Sequence, residues 1–180
     1  PPRPAVAVVP ARAGAHAVTV AAQDPADPNT SVEAYFQVGP DNLQDRVLVD
    51  VLVDLMYEPF YDQVRTQEQF GYDVSVGVRW TYGVLGISFC VTSSSKTAAE
   101  ITTRIERFVT DFRATLAATT PAKFAEHLCG LARNKLEMLA ALDEETSLLW
   151  NEIVDGRYQW GAAREEAAAL RGQTVGEAVG

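Results

Sequence analysis

The sequence predicts an α/β domain of the α+β kind, a mostly antiparallel sheet with helices packed mainly on one face. Three patterns carry that expectation. Val74, Val76, Val78 and Trp80 alternate with Ser75, Gly77 and Arg79, and after a turn at Thr81-Tyr82-Gly83, Ile87, Phe89 and Val91 alternate with Ser88, Cys90 and Thr92. Period-two alternation on both sides of a glycine-bearing turn is the pattern of an antiparallel hairpin. Upstream, Leu43, Val47, Val51 and Leu55 recur every four residues, and downstream Ile101, Ile105, Phe108, Phe112 and Leu116 fall on one face of a helix.

Taken in order, residues 1–17 are rich in Pro and Ala and read as a linker leading into a single domain over 18–180. Residues 18–20 form a candidate short strand. Asp24-Pro25-Ala26-Asp27-Pro28-Asn29 is a turn-forming loop, because proline removes backbone donors and Asp and Asn tolerate tight turns. Residues 32–38 read as a strand. Pro40 opens the first helix, and Pro59 is expected to end or kink it, since proline lacks the N–H that the helix interior needs. A second short helix is expected over 59–69, with Pro59 at its first position. Thr120 and Pro121 start another helix, with Phe124, Leu128 and Leu131 on its face. Asp143 is the expected cap of a further helix carrying Leu149, Trp150 and Ile153, and Gly156 suits its C-terminal stop. Residues 162–171 are alanine-rich and helix-prone. Thr174-Val175-Gly176-Glu177 matches a capping box close to the chain end, as in a piece of something longer.

The bulk properties bound the function. At 180 residues, with 47% hydrophobic and 22% charged residues, the chain suits one soluble domain with a single core. A net charge of −9 argues against a nucleic-acid partner. No apolar run approaches the roughly 20 residues that span a bilayer, so no membrane partner is expected. Pro1-Pro2-Arg3-Pro4 lacks the layout of a secretory signal, and the expected compartment is reducing, intracellular and cytoplasmic. Cys90 lies in an apolar strand-like run and Cys129 in a helix-like run, and both read as buried free thiols.

A catalytic constellation is hard to find. The two histidines, His16 and His127, belong to neither a His-Glu-x-x-His nor a His-x-x-Glu-His pattern, and read as surface or locally bonded residues. Ser93-Ser94-Ser95 lacks the glycines of a nucleophile elbow and reads as a polar turn. Glu144-Glu145 and Glu165-Glu166 read as solvated helix positions.

The segment 65–72, Arg65-Thr66-Gln67-Glu68-Gln69-Phe70-Gly71-Tyr72, stands out as a polar run between a helix and a strand. Gly71 is expected to supply positive φ at the helix end, placing Arg65 on the last helical turns and Tyr72 at the start of the strand. A guanidinium and a phenol so placed can hold a peptide carbonyl or terminus, or stabilise an oxyanion generated by chemistry elsewhere. The residues alone leave other uses open. Arg65 can pair with Glu68 or Asp62, and Tyr72 shares the strand parity of Val74 and Val76 and can belong to the core.

The run RTQEQFGYDV resembles the Arg-Thr-x-Glu-Gln-Leu-Gly-Tyr signature in the C-terminal domain of the insulin-degrading enzyme and pitrilysin family of inverted-motif zinc metallopeptidases. VEAYFQVG, EPFYDQVRT, GVLGISFCVTSS, FAEHLCGLARNKLEML and LLWNEIVDGRYQW resemble the flanking elements in order and spacing, so the likeness covers about residues 32–174. Three positions depart from it: Phe70 replaces a Leu, Thr92 stands where Gln is common, and Gly161 where Asp is usual. The resemblance implies a processing-peptidase-like fold within a peptidase of four similar domains, whose two halves enclose a chamber. Its His-x-x-Glu-His zinc site would lie in the first domain, so zinc belongs to the inferred parent and no metal to this chain. By the same resemblance Arg65 and Tyr72 reach into the chamber and bind substrate, and Tyr72 also stabilises the tetrahedral intermediate. The implied partners are peptide substrates, the N-terminal half of the same peptidase and, in a homodimer, a second copy. The alternative is a catalytically inactive structural or peptide-binding module of the same fold.

Overall fold

The computed structural model describes residues 8–10 and 14–179, and the α+β expectation holds. Strands β1 (Thr30–Pro40), β2 (Asp73–Thr81) and β3 (Val84–Ser93) form one antiparallel sheet in the order β1-β3-β2. Helices α1 (Leu43–Tyr61), α2 (Ala98–Ala117), α3 (Pro121–Lys135), α4 (Leu142–Asp155), α5 (Ala162–Leu170) and α6 (Val175–Val179) supply the rest.

The hairpin closes on a two-residue turn. Tyr82 and Gly83 both have positive φ, 49° and 87°, which is the twist that lets Thr81 pair directly with Val84. Register then decides the faces. Val32, Val91 and Val74 align across the three strands, as do Ala34, Phe89 and Val76, and this face meets the helices. The other face carries Glu33, Tyr35, Ser88 and Arg79. There Glu33 accepts from Ser88 at 2.6 Å and from Arg79, whose guanidinium lies 5.3 Å from the Tyr35 ring centre.

Helix α1 is buried on two sides. Val49, Met56 and Phe60 pack towards the sheet and α2, while Val47 and Val51 pack with Leu116, Phe124, Leu128 and Leu170 of the outer helices. Phe60 is fully buried, with ring centres of Phe89 at 5.1 Å and Phe108 at 4.9 Å. Edge-on aromatic contacts of this kind add roughly 0.5–1.5 kcal/mol beyond burial. Helix α2 starts on a capping box in which Thr97 and Glu100 exchange hydrogen bonds.

A buried charge network locks the layers. Arg46 grips Asp41 with two hydrogen bonds, 2.9 and 2.6 Å, and also donates to Gln159 at 2.7 Å and Glu166 at 3.1 Å. Trp80 Nε1 donates to the same Asp41 carboxylate at 2.9 Å. Lys135 bridges Asp50 and Glu166 at 2.6 and 2.7 Å. Burial pushes the Asp50 carboxyl up, and Lys135 offsets this only in part. Glu166 is therefore a buried keystone between α1, α3 and α5, not a solvated helix position.

Other expectations change. Residues 18–20 form no strand; Val18 and Val20 are 89% and 83% exposed. Pro40 ends β1, and the side chain of Asn42 caps α1 by accepting from Asp45 N at 3.0 Å. α1 continues through Pro59 to Tyr61, so no separate helix begins there. Glu144, not Asp143, closes the start of α4, accepting from the backbone of Ala140 and Ala141 at 3.0 and 3.3 Å. Gly156 ends α4 with φ 64°, as expected. Cys129 is exposed and Cys90 half-buried, so neither free thiol is fully buried.

Candidate functional site at the helix–strand junction

Beyond α1 the backbone widens into a π-helical turn over Asp62–Gln67. Glu68 N donates to Gln63 O at 2.9 Å and Phe70 N to Val64 O at 2.8 Å, longer steps than the i→i−4 pattern of an α-helix. Such a turn shifts the faces on which later side chains lie. Val64 stays in the core, and Arg65 beside it is half-buried.

The reversal into β2 is made by Gln69, which has φ 51°, and not by Gly71. Asn and Asp visit the left-handed region more readily than Gln, so this residue type gives no warning of the bend. Gly71 is required for a different reason. A Cβ there would sit 2.7 Å from Thr92 O and 2.8 Å from Val91 Cγ1, so only glycine allows the chain to lie this close to β3. The approach is sealed by Tyr72 N donating to Thr92 O at 2.9 Å.

The neighbours of Arg65 and Tyr72 are occupied with holding the segment. Arg104 on α2 donates to both oxygens of Glu68, at 2.7 and 2.8 Å, and to Gln63 Oε1 at 3.2 Å. Its hydrogen bond holds the Glu68 carboxyl below its usual value, against a smaller opposing effect of burial. Gln67 donates to Asp62 at 2.6 Å. Lys96 lies over the Phe70 ring, 4.9 Å from its centre. Both carboxylates that Arg65 might have paired with are thus engaged elsewhere.

Among the described residues, neither the Arg65 guanidinium nor the Tyr72 hydroxyl takes part in a hydrogen bond or ion pair. Tyr72 is 55% exposed and stands immediately before β2, so it is not a core residue despite its parity with Val74 and Val76. The two sit seven residues apart on one fixed turn, each carrying donors that meet no acceptor among the described residues. A shallow depression of about 340 Å³, lined by Tyr57, Glu58, Tyr61 and Asp62, lies at the adjoining end of α1.

The residues present do not suit a zinc ion. Among the described residues no three His, Cys, Asp or Glu side chains converge. His127 is half-exposed, with the Asp54 carboxylate 3.9 Å from its Nδ1. His16 is exposed. Ser93 caps the polar turn after β3, accepting from Ser95 N and Lys96 N at 3.2 and 3.1 Å.

Comparison with known proteins identifies the family. Residues 51–150 match the family model described as PQQ synthase PqqF-like, C-terminal lobe domain 4. A nardilysin-like protein of Arabidopsis thaliana is 34% identical over 146 residues, covering 79% of this chain and 14% of its own length. Human nardilysin is 32% identical over 166 residues, covering 91% of this chain and 14% of its own. The crystal structure of pitrilysin superposes with a TM-score of 0.74 at 24% identity, over 86% of this chain and 16% of that one. The chain thus spans about one-seventh of the length of the curated relatives it matches. By the family model and these likenesses, the chain belongs to the insulin-degrading enzyme and pitrilysin family of inverted-motif metallopeptidases, as a domain of its C-terminal lobe.

Proposed function

We propose that this domain is the non-catalytic C-terminal part of a zinc metalloendopeptidase that degrades peptides. In this reading it closes the chamber against the N-terminal half and presents Arg65 and Tyr72 to the substrate. The observation that supports it is the pair of side chains left unengaged on a turn that Glu68, Arg104, Gly71 and Thr92 otherwise fix in place. Donors held by a rigid frame lose little freedom when they meet a substrate, which is what electrostatic preorganisation needs.

The roles follow from the chemistry of each group. Arg65 offers a planar, permanently charged fork suited to a peptide carbonyl or a carboxylate terminus. Tyr72 offers one O–H donor to an oxygen whose negative charge grows as the carbonyl is attacked. In this reading the attacking machinery and any zinc lie in another part of the parent, since the described residues include no ligand set to hold the metal.

The test is kinetic and uses the full-length parent. Tyr72→Phe should lower kcat on peptides, by on the order of 10²–10³ if the donor acts on the transition state, with no change in melting temperature. Arg65→Met should raise KM more than it lowers kcat. Unchanged turnover in the Tyr72 variant refutes the proposed role. A parent without a His-x-x-Glu-His motif in its first domain makes the domain the inactive structural module instead.

A further inference from the structure

The turn that joins β3 to α2 brings a third cation to the helix–strand junction. Ser93 Oγ accepts from Ser95 N and Lys96 N at 3.2 and 3.1 Å, and the capping box of Thr97 and Glu100 follows directly, so the backbone of Lys96 is fixed on both sides. Its side chain reaches over Phe70, with Nζ 4.9 Å from the ring centre. Phe70 is half-buried two residues before Tyr72, and its N–H donates at 2.8 Å to the carbonyl of Val64, the neighbour of Arg65. Phe70 is also where the chain departs from the Leu of the family signature, and a leucine has no ring face to attract an ammonium.

Among the described residues the Lys96 ammonium takes part in no hydrogen bond or ion pair. The acids around it are committed elsewhere. Glu100 accepts from the backbone and the hydroxyl of Thr97 at 2.8 and 2.7 Å, and feels Lys96 only as a nearby charge. Glu68 is gripped by Arg104, whose Nη1 is itself buried without a partner. The junction therefore holds more cationic N–H groups than its carboxylates meet. This is a local excess of positive charge on a chain whose acids outnumber its bases 24 to 15. Such a reversal of sign beside two unengaged donors is the electrostatic complement of an anion.

We propose that Lys96 binds a carboxylate of the peptide, either an acidic side chain or a free C-terminus, while Arg65 and Tyr72 hold the chain beside it. Phe70 is the positioning residue. A lysine already laid on a ring has less freedom to lose on binding, and the ring leaves ammonium N–H groups free for a carboxylate. This deepens the proposed function and rests on its peptide-binding part. It adds a preference among peptides and no chemical step.

The test uses the full-length parent and peptides built on one cleavable sequence. One arm compares a free C-terminal carboxylate with the C-terminal amide. The other compares Glu with Gln at each position in turn, with the C-terminus amidated throughout. Ratios of kcat/KM are taken with both peptides in competition, so the fraction of enzyme that is folded cancels. In at least one arm the carboxylate peptide should be favoured about fivefold over its uncharged partner, and about 0.5 M salt should close most of that gap. Lys96→Met should bring the ratio to about one, Lys96→Arg should keep it, and Phe70→Leu should lower it part of the way. Tyr72→Phe should slow turnover of every peptide and leave the ratio alone, so the proposed function and the carboxylate preference fail separately. A parent that cleaves none of the peptides refutes the peptidase reading, and the same ratio is then read from anisotropy of the fluorescently labelled peptides. No preference in either arm overturns the inference. So does a preference that survives Lys96→Met, or one that Arg65→Met removes and Lys96→Met does not.

Discussion

Replacing Gly71 with alanine separates two explanations for a glycine that the sequence motif alone leaves indistinguishable. If Gly71 served a left-handed bend, asparagine would substitute for it tolerably. Its backbone is not left-handed; the bend is at Gln69, and Gly71 is instead pressed against β3. An added Cβ would lie 2.7 Å from Thr92 O and 2.8 Å from Val91 Cγ1, well inside the 3.4 Å at which ordinary contact begins. The backbone oxygen cannot rotate away, and it is also the acceptor of the Tyr72 N–H at 2.9 Å. Relief therefore requires lifting the segment off β3 and weakening that hydrogen bond. Overpacking costs about 1–3 kcal/mol, and the hydrogen bond about 1 kcal/mol more. At ~2–4 °C per kcal/mol for a domain of this size, the melting temperature should fall by roughly 4–16 °C. Gly77 is the control: it lies mid-strand with open space around its missing Cβ, so Gly77→Ala should be neutral or slightly stabilising. Calorimetric melting of Gly71→Ala, Gly71→Asn and Gly77→Ala decides the matter. A Gly71→Ala protein within about 0.5 kcal/mol of the parent, or a Gly71→Asn protein restored to it, refutes the close-approach argument.

Four further outcomes follow from the buried and bridging charges and from the bend. Arg46→Met leaves Asp41 buried without its counter-charge and Glu166 with Lys135 alone, and should cost about 3–5 kcal/mol, read as a drop in the urea midpoint. For Lys135, burial works against the ammonium, but Asp50 and Glu166 more than offset it and hold its pKa above the usual 10.5. The stability from this raised value is complete below pH 10.5 and is lost as pH rises through the folded pKa; Lys135→Met should remove that alkaline limb. Glu68 has the opposite sign. Arg104 keeps its pKa below 4.5, so its small contribution is present above that pH and fades as acid takes the pH through the folded value. Gln69→Gly should hold or raise the melting temperature and Gln69→Val should lower it, because only glycine adopts φ 51° without strain.

Much of the framework was legible because it rests on local rules. Alternation found the hairpin, and the turn expected at Thr81-Tyr82-Gly83 closes on its last two residues, with Thr81 already paired to Val84. Spacing found α2 and α3, and the capping pair of Thr174 and Glu177 starts α6 with bonds of 2.8 and 3.4 Å. What escaped depends on residues far apart in the chain. Asp41, Arg46, Lys135, Gln159 and Glu166 look like ordinary surface positions until the fold brings them together with Trp80. The π-turn escaped for another reason: no residue pattern distinguishes it from a continuing α-helix. The apolar positions Leu149, Trp150 and Ile153 of α4 show the limit of periodicity itself: all three are exposed, because a helical pattern marks apolar positions without saying what covers them.

The segment 65–72 shows how one motif divides its work. Gln63 and Glu68 tie the turn to α2 through Arg104, Gln67 folds back on Asp62, Phe70 lies under Lys96, and Gly71 sets the distance to β3. Each of these uses up a side chain on structure. The guanidinium of Arg65 and the phenol of Tyr72 are what that frame holds out without spending. Stability alone gives no reason to keep a half-buried arginine and an exposed tyrosine on so constrained a turn, since unengaged surface side chains change stability by little. The constraint makes sense if position matters more than the contact energy within the domain. Loosening the frame should then imitate loss of the donors. In the full-length parent, Glu68→Gln, which weakens the grip of Arg104 while leaving Arg65 and Tyr72 intact, should lower kcat on peptides with less than about 1 kcal/mol lost in stability. Turnover that follows only the stability change would leave the frame a structural device and nothing more.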